Sequence, residues 1–394
     1  PNFKLMTNRK KNYLSLYVHW PYCESKCPYC DFNSHVIEDV DKDAWTKSYT
    51  NQLYEYKSFL DRFDVKYENL STIFFGGGTP SLMPLKILDH ILDISSKIFK
   101  FKDDIEISLE ANPSSYEREK FKHMHKLGIN RISIGVQSLN DKNLQFLGRK
   151  HNYRDAETAI DLATNTFNNV SIDLIYALYE QNIDDWQNEL QSVLNKFNIN
   201  HLSAYQLTIE RGTRFFKDFK KGLLKVIDND LAAEFFTRTK TILNEHNFQR
   251  YEISNFAKEK FESKHNLNYW NSENWIGIGP GAYGRMWSSN QDNKRVEIKN
   301  YKNPKTWLNK NSQNSEFENI NIFNQYESDI DTLIMGLRLS KGIEIEKLND
   351  KSIIQKKKFK ELETENLIII ENGKIKINDD HLIKLNSILS YLIN

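Results

Sequence analysis

The sequence predicts an α/β protein in which βα units build a parallel sheet and a smaller, mainly helical domain follows. Three observations carry this. Through the first two thirds of the chain, short β-rich runs alternate with longer amphipathic stretches, the pattern of parallel βαβ units. Polar and glycine residues gather where those runs end, and that end of a parallel strand is where α/β proteins bind ligands. Past about Asn255 the pattern changes to a Trp-, Tyr- and Gly-rich stretch, then a polar one, then helices and a hairpin.

The β-rich runs lie at 14–19, 72–75, 105–110, 131–136, 171–176 and 202–207. The helical patterns between them lie at 44–63, 85–99, 116–127, 154–165 and 184–197. Periodicity leaves two arrangements open, an open doubly wound sheet or a partial barrel. The 265–287 stretch carries the aromatics and glycines, and the Asn- and Lys-rich stretch 288–316 reads as a linker. Helices are expected at 330–339 and 353–363, a hairpin turning at Asn372-Gly373, and a closing helix, together a winged-helix-like unit. The expected division is 1–255 for the βα part, 256–320 for the aromatic and polar region, and 321–394 for the C-terminal domain.

Composition narrows the function classes. In 394 residues, 54 basic side chains face 53 acidic ones, a net charge of +1 that gives no footprint for nucleic acid. The run Lys356-Lys357-Lys358 is followed by Glu361 and Glu363 and reads as a solvated helix face. Residues 1–13 are polar and basic, with no apolar stretch of signal-peptide length behind them. Nothing approaches the length of a membrane helix, so a soluble protein is expected, with peripheral membrane contact left open.

The chain has three cysteines, Cys23, Cys27 and Cys30, all within eight residues. An odd number so crowded is no disulfide framework, and crowded thiols in a reducing compartment point to metal and to a cytoplasmic location. They follow the first strand run, which sets them on a loop at a strand's C-terminal end. Spacings of three and two let one loop ligate three irons of a [4Fe–4S] cubane and leave the fourth without a thiolate. An open iron can chelate an amine and a carboxylate, which the methionine part of S-adenosylmethionine (AdoMet) offers. One electron from the reduced cluster would then cleave its C–S bond to a 5′-deoxyadenosyl radical. The alternative is zinc held by the three cysteines and His19 or His35.

Gly76-Gly77-Gly78-Thr79-Pro80 ends the second run. Three glycines let backbone approach a ligand and donate N–H groups, or simply make a tight turn. Glu110, Gln137 and Asp173 end the third, fourth and fifth runs. Each alone suits a helix cap or a buried polar group, but three in register above a cysteine loop suggest a binding site.

The motifs together resemble one family. Tyr17-Val-His-Trp-Pro-Tyr-Cys23, the Cys-x3-Cys-x-Tyr-Cys run, Gly-Gly-Gly-Thr-Pro-Ser, Gly135-Val-Gln137-Ser, Asp173-Leu-Ile-Tyr and Gly279-Pro-Gly281-Ala are similar to the radical SAM family of oxygen-independent coproporphyrinogen III oxidase and the haem chaperone HemW. The match runs from about Tyr13 to Gly284 and more loosely beyond. The resemblance implies a partial (β/α)6 TIM-like barrel, with the cluster on Cys23, Cys27 and Cys30. It implies AdoMet lined by Tyr17, Tyr29, Phe32, Gly77, Gly78, Thr79, Glu110, Gln137, Arg149 and Asp173. One departure stands out: Ala177-Leu178-Tyr179-Glu180-Gln181 replaces the family's Gly-Leu-Pro-Gly-Gln turn, which puts the local shape after Asp173 in question.

Within the family, three features favour the chaperone branch. No cysteine follows two residues after Cys30, only 16 residues precede Tyr17, and the chaperone's His-Asn-x-x-Tyr-Trp motif is present as His265-Asn266-Leu-Asn-Tyr269-Trp270. A neutral imidazole can ligate haem iron, and Tyr269 and Trp270 could cover a porphyrin face. The same residues could equally cap a turn and pack in a core. The expectation is a protein that binds haem through the His265 region and passes it to an acceptor protein, with an electron donor serving the cluster. The competing reading is a radical enzyme acting on a tetrapyrrole such as coproporphyrinogen III.

Overall fold

The computed structural model describes residues 13–36, 39–291 and 293–393, with main chain alone for 115–118. The opening run, read as free of a targeting segment, lies outside the described residues except for Tyr13. Six strands lie side by side in chain order, all parallel: β1 (Leu14–Trp20), β2 (Leu70–Gly77), β3 (Phe101–Ala111), β4 (Arg131–Gln137), β5 (Asn169–Tyr176) and β6 (His201–Gln206). The crossovers carry helices α1 (Lys42–Arg62), α2 (Leu85–Ile98), α3 (Ser115–Lys126), the short α4 (Asp141–Phe146), α5 (Tyr153–Thr166) and α6 (Ile183–Lys196). After β6 come α7 (Arg214–Lys220) and α8 (Asn229–Glu245). This is the partial (β/α)6 barrel expected from the motifs.

Strand alternation separates two environments. On β1, Leu14, Leu16, Val18 and Trp20 are buried under the helical layer, whereas Ser15, Tyr17 and His19 take the alternate positions. The same alternation puts Thr72, Ser108, Arg131, Ser133, Ser171, His201 and Ser203 out of solvent. Ser171 bonds His201 at 2.7 Å, and the other His201 nitrogen meets the Tyr251 hydroxyl at 2.8 Å. Buried polar groups must be satisfied, so the interior is a polar chamber and not the apolar fill usual in closed barrels.

The sheet does not stop at six strands. Beyond β6 lie the short antiparallel β7 (Gln249–Arg250) and β8 (Asn255–Ala257). Beyond β1 lie β9 (Asn274–Ile278), parallel to it, then antiparallel β10 (Tyr283–Ser288), β11 (Lys294–Lys299) and β12 (Asn319–Ile322). The stretch 288–316, expected as a linker, therefore holds a strand and a helix, α10 (Pro304–Asn311). Val296, Ile298 and Trp307 are fully buried there and join the barrel's core.

Between β8 and β9, helix α9 (Lys264–Trp270) enters the chamber. Its first-turn N–H groups have no intrahelical partner. Glu106 of β3 accepts from the N–H of Lys264 and of His265, each at 3.1 Å, and a carboxylate suits the positive end of a helix.

The C-terminal unit has its own core, built from Leu333, Leu337, Phe359, Leu385 and Leu389 among others. It comprises α11 (Gln325–Gly336), α12 (Lys357–Thr364), α13 (Leu385–Ile393) and a three-stranded sheet of β13 (Ile343–Glu344), β14 (Ile368–Glu371) and β15 (Lys374–Ile377). Asn372 and Gly373 turn the hairpin with φ of 51° and 73°, the pair of positive values a two-residue hairpin turn requires. A wholly buried cation ties this unit to the barrel. Arg295 of β11 lies between the rings of Trp275 and Trp287, 5.0 and 4.9 Å from their centroids. It faces Asp331 of α11 at 3.4 Å and donates to the Ser272 carbonyl at 3.0 Å.

Candidate cofactor site

The C-terminal ends of β1 to β6 open into a cavity of about 390 Å³. Cys23, Cys27, Cys30, Tyr29, Phe32, Gly78, Thr79, Glu110, Gln137, Arg149 and Asp173 all line it. Tyr17 and Gly77 stand just behind. The Gly77 N–H donates to Glu110 Oε2 at 3.3 Å, and the Tyr17 hydroxyl bonds His19 Nδ1 at 3.0 Å.

Local sequence explains the cysteine loop. Its two ends form a two-residue parallel ladder, Tyr22 beside His35 and Cys23 beside Val36. Within it, the Cys30 N–H bonds the Cys27 carbonyl at 3.1 Å. The glycine loop is stitched to its entry: Gly78 N–H donates to Trp20 O at 2.7 Å and Thr79 N–H to Tyr22 O at 2.9 Å. A Cβ at Gly78 would meet the Tyr22 backbone at 2.7 Å, so glycine is needed for this approach.

Arg149 reaches back over the cavity, donating to Cys27 Sγ at 3.4 Å and to the Gly135 carbonyl at 2.9 Å, while its buried Nε has no partner among the described residues. Burial pushes the thiols of Cys23 and Cys30 above their usual range. Burial, with Asp173 nearby, pushes Glu110 up to about 8. Asp173 is also raised by burial, against bonds from Ser203 and Ser133, the latter at 3.0 Å. Gln137 takes a φ of 69°, the left-handed region that costs a non-glycine residue, and such strain concentrates at functional sites.

Ser133, Asn112 and Tyr205 also line the cavity and were not singled out from sequence. A signal existed: Ser133, Gly135 and Gln137 alternate along β4, a period of two that puts small or polar residues on the chamber face. The altered turn after Asp173 enters the left-handed region twice. Ala177 and Glu180, where the family carries glycines, adopt φ of 62° and 65°.

The zinc alternative would need His19 or His35 as its fourth ligand. His19 has both nitrogens engaged, with Tyr17 and with the Asn33 carbonyl at 2.9 Å, and His35 Nε2 meets Asn33 Oδ1 at 3.3 Å. Among the described residues no three His, Cys, Asp or Glu side chains converge as one ion would need. A cubane asks for something different, three thiolates each on its own iron, with an uncommitted polar lining for the ligand of the fourth. The half-buried thiols, the orphaned Arg149 Nε and the glycine-walled cavity fit that demand.

His265, Asn266, Tyr269 and Trp270 do not join this cavity. His265 is 1% exposed, with Nδ1 on the Thr72 hydroxyl and Nε2 on the Tyr269 hydroxyl, both at 2.7 Å, and its ring stacked on Phe74. Burial holds its pKa down to about 3. Asn266 bonds Tyr251, and Trp270 lies under the Arg338 guanidinium. In this conformation both His265 nitrogens are hydrogen-bonded inside the barrel, where the motif forms helix α9, so an iron at His265 would have to displace those bonds.

Residues 17–193 match the family profile described as the Radical SAM superfamily, which defines the class that this barrel and its cysteine loop belong to. A Dictyostelium discoideum protein, "Radical S-adenosyl methionine domain-containing protein 1, mitochondrial", is 36% identical over 376 residues, 87% of this chain and 84% of its own. The "Heme chaperone HemW" of Haemophilus influenzae is 39% identical over 277 residues, 69% of this chain and 70% of its own, and that of Escherichia coli is 38% identical over 275. The solved structure of coproporphyrinogen III oxidase (HemN) from Escherichia coli, described as a radical SAM enzyme, shares the fold. Its TM-score is 0.79 over 98% of this chain and 91% of that one, at 18% identity. The chain belongs to the HemW family of radical SAM proteins.

Proposed function

We propose that this protein is a haem chaperone that carries a [4Fe–4S] cluster and AdoMet, and passes haem to an acceptor protein. The observation that carries the reading is identity of 39% and 38% to proteins named heme chaperone HemW, each over 69% of this chain. Cys23, Cys27 and Cys30 would hold the cluster, with the Arg149 guanidinium donating to Cys27 Sγ. The Gly77-Gly78 backbone, Tyr17, Tyr29, Phe32, Thr79, Glu110, Gln137 and Asp173 would line AdoMet. When bound, this pair supplies one-electron radical chemistry. The chain's own part is to hold the thiols on one loop, keep Glu110 largely protonated until a cation arrives, and shield the cavity from water.

Haem ligation at His265 would require breaking its two hydrogen bonds, to Thr72 and Tyr269, and withdrawing α9. An electron donor and a haem acceptor remain partners of unspecified identity. Thiols kept for a cluster imply a reducing compartment, cytoplasmic or, as the name of the Dictyostelium relative allows, mitochondrial. No helix among the described residues is long and apolar enough to cross a membrane.

The test is a haem titration of anaerobically reconstituted protein followed at the Soret band, then transfer to an apo-haem protein. Saturation near one haem per chain and transfer are expected; absence of saturable binding would remove the reading. The complete cavity favours a second reading, a radical enzyme on a tetrapyrrole. Anaerobic conversion of coproporphyrinogen III with consumption of AdoMet would establish it.

A further inference from the structure

Gly279-Pro280-Gly281-Ala282 is a motif the cofactor cavity leaves unused, since none of its residues lines that cavity. It lies against the far end of the cysteine loop, and a single side chain joins the two. Asn33, three residues past Cys30, donates from Nδ2 to the Pro280 carbonyl at 3.0 Å and to the Lys302 carbonyl at 2.9 Å. Its Oδ1 meets His35 Nε2 at 3.3 Å, and its own carbonyl meets His19 Nε2 at 2.9 Å. One residue thus binds the loop's exit, the end of β1 and the strand-end segment 279–302.

The receiving side is built to stay put. Gly281 N–H bonds the Tyr301 carbonyl at 2.9 Å. Gln52, fully buried on α1, accepts from the Gly279 N–H at 2.8 Å and from Trp307 Nε1 at 3.1 Å, and donates to Asn300 Oδ1 at 2.8 Å. The glycines are required by the approach. A Cβ on Gly281 would stand 2.6 Å from Asn33 Nδ2 and one on Gly279 2.4 Å from the His19 carbonyl, and both residues have positive φ, 74° and 100°.

We propose that Asn33 is a positioning residue that clamps the cysteine loop to the 279–302 segment, holding the three thiols at the spacing a cluster needs. The inference rests on the assignment of the cluster to Cys23, Cys27 and Cys30. Its chemistry is that of a half-buried carboxamide with both donor hydrogens engaged by main-chain carbonyls, a two-point attachment that fixes its orientation. Losing two such bonds, at a net of about 1 kcal/mol each, shifts a local opening equilibrium about 30-fold.

The experiment measures iron loss from reconstituted protein to an excess of ferrous chelator, with the electron paramagnetic resonance spectrum of the reduced cluster as second readout and the melting of the apo chain as control. Asn33→Ala should lose iron about 30-fold faster, with an altered spectrum and an apo melting midpoint within a few degrees of wild type. Failure of this variant to load iron while its apo form melts normally is the same result in stronger form. Gly281→Ala attacks the clamp from the other side and serves if Asn33→Ala does not fold. In a double-mutant cycle its effect should shrink in the Asn33→Ala background, because the atom it would strike is gone. Wild-type release rates in Asn33→Ala, or additive effects in the cycle, would overturn the clamp. A wild-type chain that takes up no iron would overturn the cluster assignment and the clamp with it.

Discussion

His265→Ala separates two roles for the same residue, and its cost can be worked out from the surroundings. The ring is 1% exposed, stacked 5.0 Å from Phe74, and bonded at both nitrogens. Truncating a buried ring to alanine costs about 3–5 kcal/mol in transfer and cavity terms. The Thr72 and Tyr269 hydroxyls then lose their partner, each worth about 1 kcal/mol or more where water cannot enter. A total of about 5–7 kcal/mol is a large fraction of a domain's stability, and at about 2 °C per kcal/mol the melting midpoint should fall by about 10–14 °C. Thr72→Val is the milder form, with a cost of about 1–3 kcal/mol from one unpaired buried nitrogen. The assay is paired: thermal unfolding by circular dichroism, then haem titration at a temperature where each variant is folded. The structural role predicts lower midpoints and unchanged haem affinity in both variants. A His265→Ala protein that melts like wild type but has lost the Soret band would refute the reasoning.

Acidification should destabilise the fold. Burial holds His265 at about 3 and His19 and His151 at about 4, all below the free value of about 6.5. The unfolded chain therefore takes up protons first, so their contribution is complete above pH 6.5 and lost as pH falls, by about 2 kcal/mol per histidine at pH 5. Glu110, raised to about 8, works in the opposite sense and returns about 2–3 kcal/mol over the same range. A net loss of about 3 kcal/mol from pH 7 to pH 5 should appear in urea midpoints, and a flat profile would count against these buried neutral imidazoles. Glu180→Gly should stabilise by about 0.5–1 kcal/mol: relief of a left-handed residue outweighs the added chain entropy, and its exposed pairing with Lys142 at 3.6 Å contributes little. Ala177→Gly should be close to neutral in the same assay, because that methyl is buried. Asp331→Ala removes the α11 carboxylate that stands 3.4 Å from the buried Arg295 and should cost about 3–5 kcal/mol in chemical unfolding.

The barrel was legible because its strands and helices announce themselves locally. The run expected at 131–136 is β4, Arg131–Gln137, and the helical pattern at 184–197 is α6, Ile183–Lys196. The cavity was legible for a related reason: polar residues toward the C-terminal ends of neighbouring parallel strands converge, so Glu110, Gln137 and Asp173 line one cavity. The 288–316 stretch was misread because one face of β11 is charged. Arg295 and Glu297 alternate with Val296 and Ile298, and the charges are matched by Arg285 and Asp331 from elements distant in sequence. Local composition there looks like solvated chain, and only the partners reveal a buried face. The hydrogen-bonded state of His265 was hidden for the same kind of reason. Whether an imidazole is open depends on Thr72, nearly two hundred positions away, which no motif spacing reports.

The seat of Arg295 between Trp275 and Trp287 has an optical consequence. An indole's emission responds to a cation against its ring, and these two rings sandwich the guanidinium that meets Asp331 across the seam between the two cores. Any movement of the C-terminal unit that draws Asp331 away will change the field at both rings. Tryptophan emission thus provides an unlabelled signal for that seam, readable in real time while a ligand or partner is added.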